Sequence, residues 1–363
     1  MRGVAENGSG RALRAVFVGR HGHWPEPEPL RVESAYEARS FPGPDLLWRS
    51  VRGWFANGGG PCDIAPLAAA DDPLYALEVT LRMLEDHHYD VVCFPGLTDH
   101  VRKADGFDVE EFGAAQRMVV EACIATGDRI AVLDPPPGLE PEEMRDWRVE
   151  VLGADTSHAV LYYPWLRVAD GDEADDLAWV PPCGHVAGAW ARVARQSGLL
   201  GAHGNLELAG VLDVATNVTT LEQEMLTRLN VNLLRAMPSW GVRIWGSRTL
   251  SISPWLYQIP TARLLAALKP VVLERISLFP GAGEVELVAQ IDSAIRGMSG
   301  LADDAFVVRA LSAADEAMRI EIELNPRVTL GYPLTIIIEL PAGRWSVLET
   351  EHSLDIPPEG HPG

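Results

Sequence analysis

Histidines and cysteines near the middle of this sequence suggest zinc binding as the first chemistry to consider. Cys183-Gly-His185 brings two metal-ligating residue types close together, and His158 and His203 are not far away in the sequence. A zinc site needs three or four ligands, typically presented as tight pairs such as C-x2-C or H-x3-H. The single C-x-H pair therefore favours a buried cysteine and a helix-capping histidine, and we expect no metal and no cofactor.

Two further histidine pairs are His21-Gly-His23 and His87-His88. Both fall at predicted ends of secondary-structure elements, where solvated histidines are ordinary. Neither pair supplies the third ligand that a metal site requires.

A serine nucleophile or a phosphate-binding loop would each carry a recognisable motif. A nucleophile elbow reads G-x-S-x-G after a strand, whereas Ser299 lies in Gly297-Met-Ser-Gly300 at the end of a predicted helix. The sequence has no G-x-x-x-x-G-K-[ST] loop and no G-x-G-x-x-G that opens a helix after a strand. We interpret Gly281-Ala-Gly283 and the triplet at 58–60 as turns.

Polar side chains that follow predicted parallel strands are better candidates for catalysis. Asp99, Asp134 and Tyr163 come at the carboxyl ends of such strands, where ligands of open α/β sheets bind. Two carboxylates at that edge could act as acid and base. The alternative interpretation, which the prolines after Asp134 favour, is that both are turn and cap residues.

Short apolar runs alternate with amphipathic helical patterns through the first two thirds of the chain. Such alternation is typical of a mainly parallel sheet covered on both faces. We therefore predict an α/β fold with a doubly wound, mainly parallel sheet over residues 14–249. The predicted strands are 15–19, 90–94, 129–133, 159–163 and 242–246. The predicted helices are 47–57, 73–87, 109–126, 141–149, 184–196 and 220–237. Asp72 is the predicted cap of the helix 73–87.

The pattern changes near Leu250, where we place a domain boundary. Helices at 260–279 and 284–298 precede strands at 306–310, 319–324 and 333–340, which predicts a smaller α+β domain over residues 250–343. Ile320, Ile322 and Leu324 alternate with charged residues and should face a core. We expect residues 1–13 to form a short polar segment and residues 344–363 a loose polar tail.

Composition excludes several classes of function. The 363 residues include 51 Asp and Glu against 30 Lys and Arg, a formal charge of −21, so the chain should repel nucleic acid. It lacks an apolar stretch of about 18 to 20 residues, so we expect no direct membrane insertion. The four cysteines are far apart and the amino terminus has no apolar signal core, which together favour a reduced, cytoplasmic protein.

Residues 221–257 closely resemble the signature of phage tail sheath proteins and of the sheaths of related contractile injection systems. In that family a segment with Asn and Arg leads through a glycine into a strand reading V-W-G-A-R-T-L-S, usually followed by an acidic residue, proline, Trp and Tyr. Here Asn230 and Arg235 precede Arg243-Ile-Trp-Gly-Ser-Arg248-Thr-Leu-Ser251 and then Pro254-Trp-Leu-Tyr257. The blocks 15–19, 51–62, 93–99, 129–138, 161–165 and 180–188 also resemble sheath sequences, in the family's order.

The resemblance implies a structural protein and not an enzyme. Family members form hexameric rings that stack helically around an inner tube on a baseplate and then contract, driving the tube through a target envelope. The expected partners are further copies or sheath paralogues, the tube protein, and baseplate or terminal cap proteins, in a phage tail or phage tail-like particle assembled in the cytoplasm. In this interpretation Asp99, Asp134 and His185 belong to structural turns. The alternative is a small-molecule hydrolase or binding protein on a doubly wound sheet.

The resemblance also identifies residues for assembly. The signature candidates are Asn230, Arg235, Arg243, Trp245, Gly246 and Arg248. In the family, terminal strands of neighbouring subunits add to an edge of the carboxyl-terminal sheet by β-augmentation. We therefore expect an edge near the predicted strand 333–340 and add Ile337 and Glu339, which should lie on the face opposite its core side.

The sequence departs from the family in two places. Typical sheaths begin with an arm of some twenty residues, commonly containing S-P-G-V-Y-V-E-E, before the first core strand, whereas here only residues 1–13 precede that strand. The predicted helix 184–196 begins with G-H-V-A-G. The stretch that follows this helix is also altered and reads Gly201-Ala-His-Gly-Asn205. These departures predict a short variant, a minor paralogue or a terminal-ring subunit.

Overall fold

The computed structural model describes residues 12–19, 28–40, 45–67, 72–97, 102–103, 106–170, 176–279, 281–298, 301–302, 304–312, 318–329, 334–340 and 344–349. It divides into two compact units, Met1–Pro270 and Val271–Gly363. The boundary therefore lies beyond the position predicted near Leu250. The reason is that Ile259 and Ala262, at the start of the next helix, are buried in the core of the first unit.

The first unit contains most of the elements. They are β1 (Ala15–Gly19), β2 (Leu30–Val32), α1 (Ala35–Ser40), α2 (Asp45–Ala56), β3 (Cys62–Pro66), α3 (Pro73–Glu85), β4 (Val91–Cys93), β5 (Arg102–Lys103), β6 (Gly106–Phe107), α4 (Val109–Thr126), β7 (Ile130–Leu133), α5 (Pro141–Asp146), a π-helical turn (Trp147–Leu152), β8 (Ala159–Tyr163), β9 (Leu166–Ala169), β10 (Leu177–Val180), α6 (Cys183–Ser197), β11 (Val211–Val214), α7 (Thr220–Arg228), β12 (Val231–Met237), β13 (Gly241–Trp245) and α8 (Ile259–Leu278). The last helix crosses the boundary between the units.

An eight-stranded sheet organises this unit, with strand order β13-β12-β8-β7-β4-β1-β3-β2. The pairs from β12 to β3 are parallel, and the outermost strands β13 and β2 are antiparallel to their neighbours. Residues of α2 and α6 belong to one apolar cluster with the sheet, and residues of α3 and α4 belong to a second. The predicted parallel-rich sheet is therefore present. A small antiparallel sheet, β10-β9-β11, was not predicted.

Helix starts follow the capping chemistry that the sequence shows. The carboxylate of Asp72 accepts hydrogen bonds from the backbone N–H groups of Leu74 and Tyr75 at 2.9 and 3.3 Å, as predicted for α3. Asp108 caps α4 in the same way, and Gly127, with φ of 66°, ends that helix in the left-handed conformation.

The predicted helix over 220–237 is wrong in its second half. Helix α7 ends at Arg228, Asn230 takes a φ of 58°, and Val231–Met237 forms strand β12 between β8 and β13. Leu233 and Leu234 are both buried, each in a different one of the two apolar clusters. A strand with both faces covered has a continuous apolar run, which periodicity cannot separate from a buried helix.

The second unit holds α9 (Glu284–Arg296) and the strands β14 (Phe306–Ser312), β15 (Met318–Leu324), β16 (Leu334–Glu339) and β17 (Arg344–Glu349). The strands form one antiparallel sheet in chain order. Ile320, Ile322 and Leu324 are buried, as their alternation predicts, and they pair with residues of β16.

Strand β17 corrects the prediction that residues 344–363 form a loose tail. Residues 344–349 pair with β16, and half-buried Trp345 and Val347 lie opposite Ile338 and Ile336 while Ser346 and Leu348 are exposed. This period-two alternation is typical of a strand. As a result β16 is an inner strand and the outer strands are β14 and β17, so the edge expected near 333–340 lies elsewhere. Residues 350–363 and 1–11 lie outside the described residues.

A membrane-spanning helix would need a long apolar segment. In the part of the chain that the structure describes, none of the helices is both long and apolar enough to cross a membrane.

Candidate assembly site

The Cys183-Gly-His185 pair occupies the first turn of α6, against the end of β7. The backbone N–H of Cys183 donates to Oδ1 of Asp134 at 2.8 Å, and both side chains are buried. Burial raises the pKa of the Asp134 carboxyl to about 7, against the lowering effect of the hydrogen bonds from Cys183. Asp134 therefore satisfies a free N–H at the start of α6, in agreement with its interpretation as a turn and cap residue.

The motif Gly184-His-Val-Ala-Gly188 serves the packing of α6 on α2. A Cβ added at Gly184 would lie 2.1 Å from the carbonyl O of Ser50, and one at Gly188 would lie 2.4 Å from the carbonyl O of Trp54. The two helix backbones are thus in direct contact, and only glycine fits at these two positions.

His185 does not cap α6, contrary to the prediction. Its ring packs on Gly53, where an added Cβ would lie 2.4 Å from Nδ1. The side chain is buried, and burial lowers its pKa to about 4, so the imidazole is neutral near pH 7.

The other histidines considered for a metal site have separate partners. His203 contacts Nη1 of Arg263 at 2.6 Å and the ring edge of Trp190, whereas Nδ1 of His158 lies 3.2 Å from the carbonyl O of Arg129. Nδ1 of His88 lies 2.9 Å from Oδ2 of Asp128. Within the described ranges, no three His, Cys, Asp or Glu side chains are grouped so that they could hold a metal ion. His21 and His23 lie outside those ranges.

The polar residues predicted at the carboxyl ends of the strands are held in loop contacts. The hydroxyl of Tyr163 donates to the carbonyl O of Leu139 at 2.8 Å, and Nε2 of Gln116 donates to the carbonyl O of Asp134. Asp99 lies outside the described residues. The pair of carboxylates proposed for acid and base chemistry is therefore not assembled from described residues.

The signature residues are divided between the strands of the β12–β13 hairpin and the turns before β12 and after β13. Nδ2 of Asn230 donates to the carbonyl O of Ser251 at 2.8 Å. The side chain of Asn232 bonds both backbone groups of Arg248: its Nδ2 donates to the carbonyl O at 2.7 Å and its Oδ1 accepts from the N–H at 2.8 Å. Gly246 has a φ of 150°, and an added Cβ would lie 2.6 Å from Oδ1 of Asn232. Asn230 and Gly246 thus hold 246–251 against β12. Asn232 does the same, although the prediction did not include it.

Arg243 secures a segment that covers the outer edge of β13. Residues 205–208 pair with this edge through three backbone hydrogen bonds of 2.7 to 2.9 Å, two of them with Ile244 and one with Val242. Nη1 of Arg243 donates to the carbonyl O of Asn205 at 2.7 Å, and its guanidinium lies 5.5 Å from the ring centre of Trp240. Trp245, on the same strand, is 40% exposed. The altered stretch 201–205 therefore leads directly into the segment that covers this edge.

Arg235 and Arg248 have different surroundings. Arg235 donates to Oε1 of Gln223 on α7. The guanidinium of Arg248 lies 5.3 Å from the ring centre of Tyr257, and its Nη1 donates to the carbonyl O of Thr227 at 3.3 Å. Arg248 also lines a cavity of about 280 Å³ together with Arg228, Asn230, Ser251, Ile252, Pro254 and Tyr257.

Ile337 and Glu339 belong to the second unit, on the inner strand β16. Ile337 is half-buried, and Glu339 forms an ion pair with Arg319 on β15 at 3.5 Å. Neighbouring residues of this face are also charged, since Arg309 on β14 pairs with Glu323 at 2.9 Å. Ile337 is thus an apolar residue on a face rich in ion pairs.

Comparison with known proteins gives findings of three kinds: a family model, a relative in sequence and similar solved structures. Residues 75–250 match the family model of the phage tail sheath protein central domain. A 115-residue stretch is 27% identical to the tail sheath protein of Salmonella phage ViI and covers 31% of this chain but 18% of that protein. The fold is similar to a chain of the anti-feeding prophage helical sheath in its contracted state, with a TM-score of 0.61, 21% identity and coverage of 97% of this chain and 95% of the other.

A chain of the anti-feeding prophage baseplate is similar as well, with a TM-score of 0.64, 21% identity and coverage of 89% of this chain and 93% of that chain. At these identities the structural likenesses show the fold. Together with the family model, which matches residues 75–250, they confirm that this chain resembles the phage tail sheath proteins and the sheaths of contractile injection systems.

Proposed function

We propose that this protein is a structural subunit of a contractile sheath. Copies of the chain, alone or with sheath paralogues, form hexameric rings that stack around an inner tube, and contraction of the stack drives the tube through a target envelope. The observation that carries the proposal is the central-domain match over residues 75–250, extended by a fold likeness to a sheath chain over 97% of this chain. A stacked sheath needs a heterologous interface that does not close on itself.

The proposed partners are further copies or sheath paralogues, the tube protein, and baseplate or terminal cap proteins. The likeness to a chain of the anti-feeding prophage baseplate supports baseplate proteins among these partners. The formal charge of −21 disfavours nucleic acid as a partner. We propose assembly in the cytoplasm and no catalytic role.

The alternative of a small-molecule hydrolase or binding protein is not favoured. Asp134 is buried and bonded to the start of α6, and Tyr163 donates to a loop carbonyl. These contacts support a structural role for both residues.

Electron microscopy of the purified chain with its tube protein tests the proposal. We expect rings or cylinders of sheath subunits around the tube. A tag on the chain distinguishes two roles: labelling along the whole cylinder indicates a main sheath subunit, and labelling at one end indicates a minor or terminal-ring subunit. Compact single particles that do not bind the tube or baseplate proteins would contradict the proposal.

A further inference from the structure

The cavity of about 280 Å³ beside the signature residues is lined by two arginines. Arg228 is exposed in the last turn of α7, and Arg248 follows β13. The remaining lining residues are Asn230, Ser251, Ile252, Pro254 and Tyr257, none of which carries a negative charge near pH 7. We call this space the arginine cavity.

Neither arginine of this cavity forms an ion pair with a described carboxylate. Other arginines of the chain do: Arg49 and Arg52 both bond Asp170, and Arg309 bonds Glu323. Two guanidinium groups around one space repel each other unless an anion lies between them.

The guanidinium of Arg248 is already held in position. It stacks on the ring of Tyr257, and Nη1 donates to the carbonyl O of Thr227 at 3.3 Å and to Oδ1 of Asn230 at 3.5 Å. Because only Nη1 makes these bonds, its other N–H groups can donate to a ligand. A guanidinium held in this way loses little side-chain entropy when it binds a carboxylate in two-point geometry.

We propose that the arginine cavity binds a carboxylate side chain of an acidic segment on a second copy of this chain. The excess of 21 negative charges means that a neighbouring copy presents mostly carboxylates, which makes the two surfaces complementary. Ile252, which is 79% exposed where it lines the cavity, would be covered by the same contact. The inference rests on the proposed function, because it requires that copies assemble.

Binding of defined probes tests the chemistry of the cavity without assembly. The probes are an acetylated tetraglutamate peptide and inorganic phosphate at matched ionic strength. We expect the peptide to bind the intact chain, Arg228→Glu to weaken that binding about tenfold, as for one lost charge-assisted hydrogen bond, and Arg228→Lys to retain most of it. Arg82→Glu is the matched control, because Arg82 is an exposed arginine that forms an ion pair with Glu78 on its own helix. Equal binding of phosphate and peptide, or unchanged binding by Arg228→Glu, would overturn the proposal.

Cross-linking identifies the occupant during assembly. All four cysteines of the chain are buried, so Ile252→Cys places a single accessible thiol beside the cavity for a benzophenone maleimide. In a mixture of ¹⁴N- and ¹⁵N-labelled chains assembled on the tube, we expect mixed-isotope cross-links to a peptide that contains Asp or Glu. Cross-links to the tube protein alone would show a different occupant and overturn the proposal.

Electron microscopy of sheath assembly by the intact chain, Arg82→Glu and Arg228→Glu separates this inference from the proposed function. If the intact chain and Arg82→Glu form sheaths and Arg228→Glu does so equally well, the inference fails and the proposed function stands. If none of the three assembles, the proposed function and the second-copy occupant both fail, while peptide binding that depends on Arg228 still supports a carboxylate site.

Discussion

Replacement of Gly184 by alanine tests whether the G-H-V-A-G motif exists for helix packing. The added Cβ would lie 2.1 Å from the carbonyl O of Ser50 on α2, and also 2.6 and 2.7 Å from the carbonyl carbon and Cα of that residue. All three are backbone atoms, so no side chain can rotate away. Restoring an ordinary contact of about 3.4 Å requires the two helices to separate locally by about 1.3 Å.

The cost follows from the close packing of this interface. Trp54 and Trp190, one from each helix, are fully buried in the same apolar cluster, so separation opens gaps that are too small for water. Overpacking of a core costs about 1 to 3 kcal/mol and occasionally more, and contact with backbone places Gly184→Ala at about 3 kcal/mol or above. For a unit of this size, about 1 kcal/mol shifts the melting temperature by about 2 to 4 °C, so we expect a decrease of at least about 6 °C.

Thermal unfolding followed by circular dichroism or calorimetry measures this shift. Gly60→Ala is the matched control, because an added Cβ there meets no atom within 4 Å and the backbone does not have a left-handed φ. We expect this control to be neutral or slightly stabilising, since alanine restricts the unfolded chain. A melting temperature for Gly184→Ala within about 1 °C of wild type would refute the packing argument.

Three further outcomes are expected. Gly246→Ala should lower the free energy of unfolding in urea by about 1 to 3 kcal/mol, because φ is 150° and the new Cβ would lie 2.6 Å from Oδ1 of Asn232; an unchanged midpoint would contradict this role. The folded-state pKa of Asp134 is about 7 and its unfolded value about 3.8, so ionisation in the folded state is disfavoured. The free energy of unfolding should therefore decrease as the pH rises from about 4 to about 7. Asp134→Asn should lose that part of the pH dependence of the melting temperature, and parallel wild-type and variant profiles would contradict the shift. On the inner strand β16, Ile338→Pro should unfold the second unit, whereas Ile337→Lys should keep the melting temperature and block incorporation into a sheath; normal co-assembly of Ile337→Lys would show that its face is not an interface.

Most elements of the first unit were predictable because their signals are local. The sequence predicts 109–126 as a helix and 159–163 as a strand, and both occur with those bounds. A cap such as Asp72 acts within three residues of its own position, so the sequence contains the whole interaction. The family resemblance was also readable from the sequence, because its signature is a contiguous run of residues.

For residues 231–237 and 344–349, local sequence patterns predict the wrong secondary structure. The first segment reads Val-Asn-Leu-Leu-Arg-Ala-Met without strict period-two alternation, and only its position between β8 and β13 makes it a strand. The second was assigned to a tail because it is polar, and pairing with β16 makes it a strand. In both cases the segment becomes a strand because its backbone pairs with another strand. Which strand that is depends on the fold and not on the segment's own residues.

By itself the sequence determined the order and type of most elements, the acidic charge, the family signature and the lack of a recognisable catalytic motif. Tertiary structure alone decided what the signature residues contact. It placed the Asn232 side chain on the backbone of Arg248, segment 205–208 along the edge of β13, and Arg228 beside Arg248 at one cavity. The physical reason is that capping and periodicity act over one or two turns of chain, whereas these contacts depend on which strands and helices become neighbours after folding.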